Sequence, residues 1–156
     1  MADKIRTRAE VPEEYKWKIT DIYADDSLWE KDYELVKSRL AEFEKFHGNA
    51  GKSAENLLAL FRLNDEISLI ADKLYVYAAM RFHEDSGNST YQALSDKAEM
   101  LIIEYSQAVS FITPEITELD DKAVESYIES CDGLKIYRHY LENIMRCKSH
   151  ILSKDI

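Results

Sequence analysis

An all-α fold is predicted for this chain: an antiparallel helical bundle or array of about five helices behind an extended N-terminal arm. Three observations predict it. Only four Gly and two Pro occur in 156 residues, too few for an all-β fold, which needs a turn every 8 to 12 residues or so. Apolar residues recur at alternating spacings of 3 and 4 in successive segments, the pattern of a single helix face. Capping residues stand at the heads of those segments.

The arm, residues 1–24, is Pro-led, and its apolar positions alternate too briefly for a strand. Trp17 and Tyr23 are expected to anchor it against the helices. The first helix starts at Ser27, which forms a capping box with Glu30, and carries the stripe Trp29, Tyr33, Val36, Leu40 and Phe43 to a close near Gly48. Ser53 caps a longer second helix, whose stripe runs through Leu60, Leu63, Ile67, Ile70, Leu74 and Tyr77. Flanking apolar residues widen that stripe, so this helix should be the most buried. Asp85-Ser86-Gly87-Asn88-Ser89 is a loop, and Ser89 with Gln92 forms a second capping box. The third stripe follows: Tyr91, Leu94, Ala98, Leu101, Tyr105, Ala108 and Ile112. Pro114 should kink or end that helix, because its ring removes a donor and crowds the preceding turn. Asp120 caps a short helix with Val124, Tyr127 and Ile128. A last helix begins near Asp132-Gly133 and runs through Leu134, Tyr137, Leu141 and Ile144 to about Cys147.

Composition removes several function classes. The net charge of −10 repels phosphate backbones and anionic lipid, so neither nucleic acid nor membrane is an expected partner. No run approaches the roughly 18 apolar residues that span a bilayer, and the N-terminus lacks a signal-peptide core. Cys131 and Cys147 are too few for a disulfide framework. The resulting expectation is a reduced, cytoplasmic protein.

No catalytic constellation can be assembled. A zinc peptidase needs His-Glu-x-x-His on a helix, two metal ligands and a base that activates water. His83-Glu84-Asp85-Ser86-Gly87 comes near, but Gly stands where the second His is required. A di-iron bundle needs two Glu-x-x-His copies, and Glu44-Lys45-Phe46-His47 is a single one. Cys147 and His150 are two metal ligands where three or four are needed; Cys131 and His139 are set too far back on the same helix, at about 1.5 Å per residue, to converge with them. Neither a nucleophile elbow nor a Gly-rich phosphate loop is present. The expected catalytic residues are none, the expected metal ligands are none, and the substrate-binding residues are unknown.

Several segments taken in order resemble the N-terminal region of the oligoendopeptidase F family, zinc metallopeptidases that act on oligopeptides. They are Arg8-Ala9-Glu10-Val11-Pro12, Tyr15-Lys16-Trp17, Asp21-Ile22-Tyr23, Trp29-Glu30, Leu74-Tyr75-Val76-Tyr77, Ser110-Phe111-Ile112-Thr113-Pro114-Glu115, and Arg146 with Lys148, His150, Leu152 and Ser153. Ile151 stands where the family commonly has Thr. The resemblance implies a helical domain that packs against a C-terminal catalytic domain and helps wall a substrate channel. It also implies a whole enzyme that binds zinc through a His-Glu-x-x-His motif absent from this chain. No ligand or catalytic residue carries over to a position here. His150 becomes part of a structural turn that hydrogen-bonds across a helix corner.

The implied organisation is an arm over 1–24, a helical domain over 25–152, and the start of a truncated helix over 153–156. Ser153 caps that last helix and Asp155 suits its positive end, yet only Ile156 follows, so the ending reads as a cut. The expected function is that of an inactive N-terminal fragment of a zinc oligoendopeptidase, partnered by its own catalytic domain and by oligopeptide substrate. Its uncovered apolar surface could drive self-association. The rival is a free-standing helical interaction module without enzymatic activity, which would lay a partner helix on its apolar face.

Overall fold

The computed structural model describes residues 6–148, which are helical throughout apart from turns and connectors. Six α-helices occur among them: α1 Asp26–Arg39, α2 Ala54–Glu84, α3 Ser89–Val109, α4 Ile112–Thr117, α5 Asp121–Ser130 and α6 Arg138–Cys147. No described residue is in a strand, as an all-α fold requires. The sixth helix is α4. Pro114 was expected to kink or end the third helix, but it sits in the first turn of α4, where its missing N–H would have had no intrahelical partner anyway. Helix α3 has already stopped at Val109. Residues 149–156, with His150, Ser153 and Asp155, lie outside the described residues.

Two compact units are built from this chain. The first takes residues up to Ser38 together with Ser68–Ile103. Its core is aromatic. Trp29 is fully buried, stacks on Tyr33 with ring centroids 5.3 Å apart, and donates its indole N–H to the Leu74 carbonyl at 2.9 Å. Lys97 closes the outer side, its ammonium 4.1 Å from the centre of the Tyr33 ring, and pairs with Glu30.

Both capping boxes shift upstream. At α1 the cap is Asp25, which accepts from the Ser27 N–H at 2.9 Å and the Leu28 N–H at 3.1 Å. A full negative charge at the positive helix end outcompetes the Ser27 hydroxyl, which itself donates to Asp25. That hydroxyl, with the backbone donors, lowers the Asp25 carboxyl below the usual aspartate range. At α3 the cap is Asn88, whose side-chain oxygen accepts from Thr90 N–H at 2.9 Å, and Gln92 turns instead to Asp96. Ser53 and Asp120 cap α2 and α5 as predicted, accepting from Asn56 N–H at 3.2 Å and Lys122 N–H at 2.8 Å.

The arm is less extended than expected. Val11 and Lys16 are extended, but between them and beyond run three single turns of 3-10 helix, Arg8–Glu10, Glu13–Tyr15 and Ile19–Asp21. Trp17 does not anchor it: 65% of its surface is exposed. The turn at Ile19–Asp21 instead brings Ile19 and Tyr23 inward, at 6% and 4% exposure. Tyr23 meets Tyr77 edge-on at 5.3 Å and donates its hydroxyl to Asp32 at 2.8 Å.

Tyr77 in turn donates to Asp26 at 2.7 Å. Burial first, then that carboxylate acceptor, pushes the Tyr77 phenol up to about 12, and the same causes raise Tyr23. A phenol raised by folding stabilises the fold fully below its ordinary value near 10, and loses that contribution as pH climbs through the folded value. The first unit should therefore lose stability from about pH 10 towards pH 12. An ultraviolet absorbance titration should show late-ionising tyrosines, and Tyr77→Phe should remove part of the late step. A single transition of all ten tyrosines near 10 would contradict this.

The second unit takes Arg39–Ile67 and the residues from Glu104 onward. It opens with the 3-10 run Leu40–Phe46, so the first helix does not stay α-helical to Gly48. With 3.0 residues per turn in such a run, Phe43 and Phe46 eclipse, and both are buried. Gly48 ends the run at φ 73, a left-handed position suited to glycine. Helix α6 packs against α4 and α5, and Ile116, Ile128, Leu134 and Leu141 fill the space at no more than 1% exposure.

Candidate functional site

Among the described residues, those with metal-binding chemistry do not converge. His83 is exposed, and Glu84 beside it is committed to an ion pair with Arg8. His47 lies 5.1 Å from the Phe111 ring, and its neighbour Glu44 is exposed. His139 bonds Asn143 at 3.0 Å, Cys131 is half-buried and Cys147 is exposed. Among the described residues no three of His, Cys, Asp and Glu come together as a metal site.

Two concave surfaces stand out. One, of about 590 Å³ in the second unit, surrounds the connector His47–Lys52 and is lined also by Glu115, Glu118 and Leu119. Several of its polar groups are spent internally. The Glu115 carboxylate accepts from Gly48 N–H at 2.5 Å and from Ala50 N–H at 3.0 Å, and the Tyr127 hydroxyl donates to the Gly51 carbonyl at 3.0 Å.

The other, of about 360 Å³ in the first unit, lies between the arm and the C-terminal end of α2. Arg6, Arg8, Val11, Tyr15 and Trp17 come from the arm; Met80, His83 and Glu84 come from α2. Its geometry follows from one ion pair. The Glu84 side chain is only 11% exposed, and Arg8 reaches it while donating its other contact to the Trp17 carbonyl at 3.3 Å. Arg8 thus ties the chain on both sides of Pro12 to α2. Tyr15 is left 74% exposed beside Trp17. Arg81, one turn before Glu84, lies over the Tyr91 ring at 4.4 Å and pairs with Asp26 at 3.6 Å. In the sequence His83 and Glu84 stand only as a near miss for a zinc motif, and Arg8, Val11, Tyr15 and Trp17 enter through the segments that carry the family resemblance.

Comparison with known proteins supports the family resemblance. Oligopeptidase PepF of Bacillus subtilis is 33% identical over 153 residues, 98% of this chain. The chain matches the amino-terminal region of the oligoendopeptidase F family along nearly its whole length. The family model described as oligopeptidase F matches residues 115–156, from α4 onward. The crystal structure of oligoendopeptidase-F from Enterococcus faecium superposes with a TM-score of 0.75 at 31% identity, covering 83% of this chain and 26% of that one. A Chlamydophila abortus protein of known structure gives 0.84 at 25% identity over 97% of this chain and 26% of its own. Within the oligoendopeptidase F family, this chain corresponds to the amino-terminal region. It spans between 23% and 25% of the length of the curated relatives it matches.

Proposed function

We propose that this chain is the amino-terminal helical part of a zinc-dependent oligoendopeptidase that hydrolyses peptide bonds in short peptides. It helps wall the substrate channel and has no peptidase activity by itself. The observation that carries this is the match along 98% of the chain to a peptidase of which the chain spans only 23%. The donor set among the described residues does not fit a catalytic zinc, so no chemical step is assigned to this chain. Zinc and the general base belong to a His-Glu-x-x-His motif in the remaining part of such an enzyme, where the metal would polarise the scissile carbonyl and activate water.

The partner in this reading is that catalytic part. Leu69, Val76, Met100 and Ile103 lie 45% to 72% exposed on α2 and α3, and contact with the catalytic part would cover them. In its absence they favour self-association. The setting is the cytoplasm, where Cys131 and Cys147 stay reduced. The test is cleavage of a quenched fluorescent peptide with zinc present. The purified 156-residue chain should show none, and a longer polypeptide that adds the metal motif should show chelator-sensitive cleavage. Chelator-sensitive cleavage by the chain alone would overturn the assignment.

A further inference from the structure

The cleft between the arm and α2 has a lining that folding does not account for. Arg8 and Glu84 are used by the fold, since they hold the arm to the helix. Arg6 has no ion pair among the described residues. Tyr15 and Trp17 stay 74% and 65% exposed, although burial of an aromatic ring is among the larger gains available to a chain. Val11 and Met80 add apolar surface to the lining. The charge is inverted here as well. The chain carries −10 overall, yet this cleft sets Arg6 and Arg8 against Glu84 alone.

Size and chemistry narrow the occupant. About 360 Å³ lies at the low end of the range for small-ligand sites and cannot seat a folded partner. A guanidinium with no ion pair among the described residues matches one carboxylate, which it can hold through two parallel hydrogen bonds. An aromatic shelf beside it matches one apolar side chain, the combination that supplies most binding energy at small interfaces.

We propose that this cleft binds the C-terminal end of a short peptide, with the terminal carboxylate on Arg6 and the last apolar side chain against Tyr15 and Trp17. The inference rests on the oligopeptidase reading and adds a docking position for the peptide on the amino-terminal region itself, away from any metal.

Trp17 is a built-in reporter, because Trp29, the other tryptophan, is fully buried and its emission should not respond. The purified chain is titrated with an eight-residue peptide ending in Leu, as free acid and as C-terminal amide. The free acid should shift tryptophan emission saturably, and the amide should bind about tenfold more weakly. Arg6→Ala should weaken the acid to the level of the amide and leave the amide unchanged. Trp17→Phe should silence the emission change while calorimetry still detects binding. Equal affinity for acid and amide, or acid binding indifferent to Arg6→Ala, would overturn the proposal. So would a shift produced by adenosine monophosphate but not by the peptide. No bond is cleaved in this titration, so its failure is separate from failure of the peptidase assay.

Discussion

Trp29→Ala is expected to destabilise the protein by about 3–5 kcal/mol, the cost of removing a large aromatic side chain from a packed core. Three contacts go at once: the stack on Tyr33, the hydrogen bond from the indole N–H to the Leu74 carbonyl, and the packing beneath Lys97. The bond to Leu74 ties α1 to α2 inside the first unit, so loss of the ring also removes one link between these two helices and leaves those from Tyr77 and Arg81 to Asp26. Small domains hold only about 5–15 kcal/mol in total, so a large share of the stability disappears. Urea denaturation followed by circular dichroism checks this. Trp29→Phe keeps a ring on Tyr33 but lacks the donor, and should cost less. Trp17→Ala is the matched control: with its ring 65% exposed, it should stay within about 0.5 kcal/mol of the parent. A Trp29→Ala loss no larger than that of Trp17→Ala would mean that the ring is not the centre of this core.

Glu115→Ala is expected to cost about 2 kcal/mol and to loosen the connector between Phe46 and α2. Each carboxylate oxygen accepts one backbone N–H, from Gly48 and from Ala50, and charged acceptors make the stronger hydrogen bonds. Ala50 is fully buried, so its N–H cannot turn to water without opening the packing around it. Gly48 holds its left-handed conformation in the same turn, and the Gly51 carbonyl is held by Tyr127. Glu115→Gln discriminates between charge and shape. Its side-chain oxygen can still accept one bond, but its amide nitrogen would face the other N–H donor to donor, so roughly half the loss should remain. Hydrogen exchange at Gly48 and Ala50 should accelerate in both variants, more in Glu115→Ala. Unchanged protection at Ala50 would contradict the latch.

The helices were legible because spacing of 3 and 4 is imposed by the core itself. Leu57, Leu60, Ile67, Leu74 and Leu101 fall where the stripes put them. Their starts were less so. Ser27 and Ser89 are good caps, but Asp25 and Asn88 stand upstream and offer stronger acceptors, a competition that depends on loop geometry rather than on residue type. The arm misled for a related reason. Trp17 is the larger apolar group, but the 3-10 turn at Ile19–Asp21 decides which residues face inward, and no period announces a single turn. The arm cleft was illegible altogether. It exists because Arg8 in the arm reaches Glu84 at the C-terminal end of α2, and a pair so distant in sequence leaves no local trace. The near miss for a zinc motif needs no structure to read, because Gly87 stands in the sequence where the second His is required.

The central claim is that this chain is the amino-terminal part of a zinc oligoendopeptidase, and the downstream reading frame of the gene tests it most directly. The frame should continue past Ile156 into a helix carrying His-Glu-x-x-His, and the complete product should bind one zinc ion that both His residues are needed to retain. A native stop codon after Ile156, with the chain accumulating as a folded monomer that neither cleaves peptides nor acquires a catalytic partner, would contradict it.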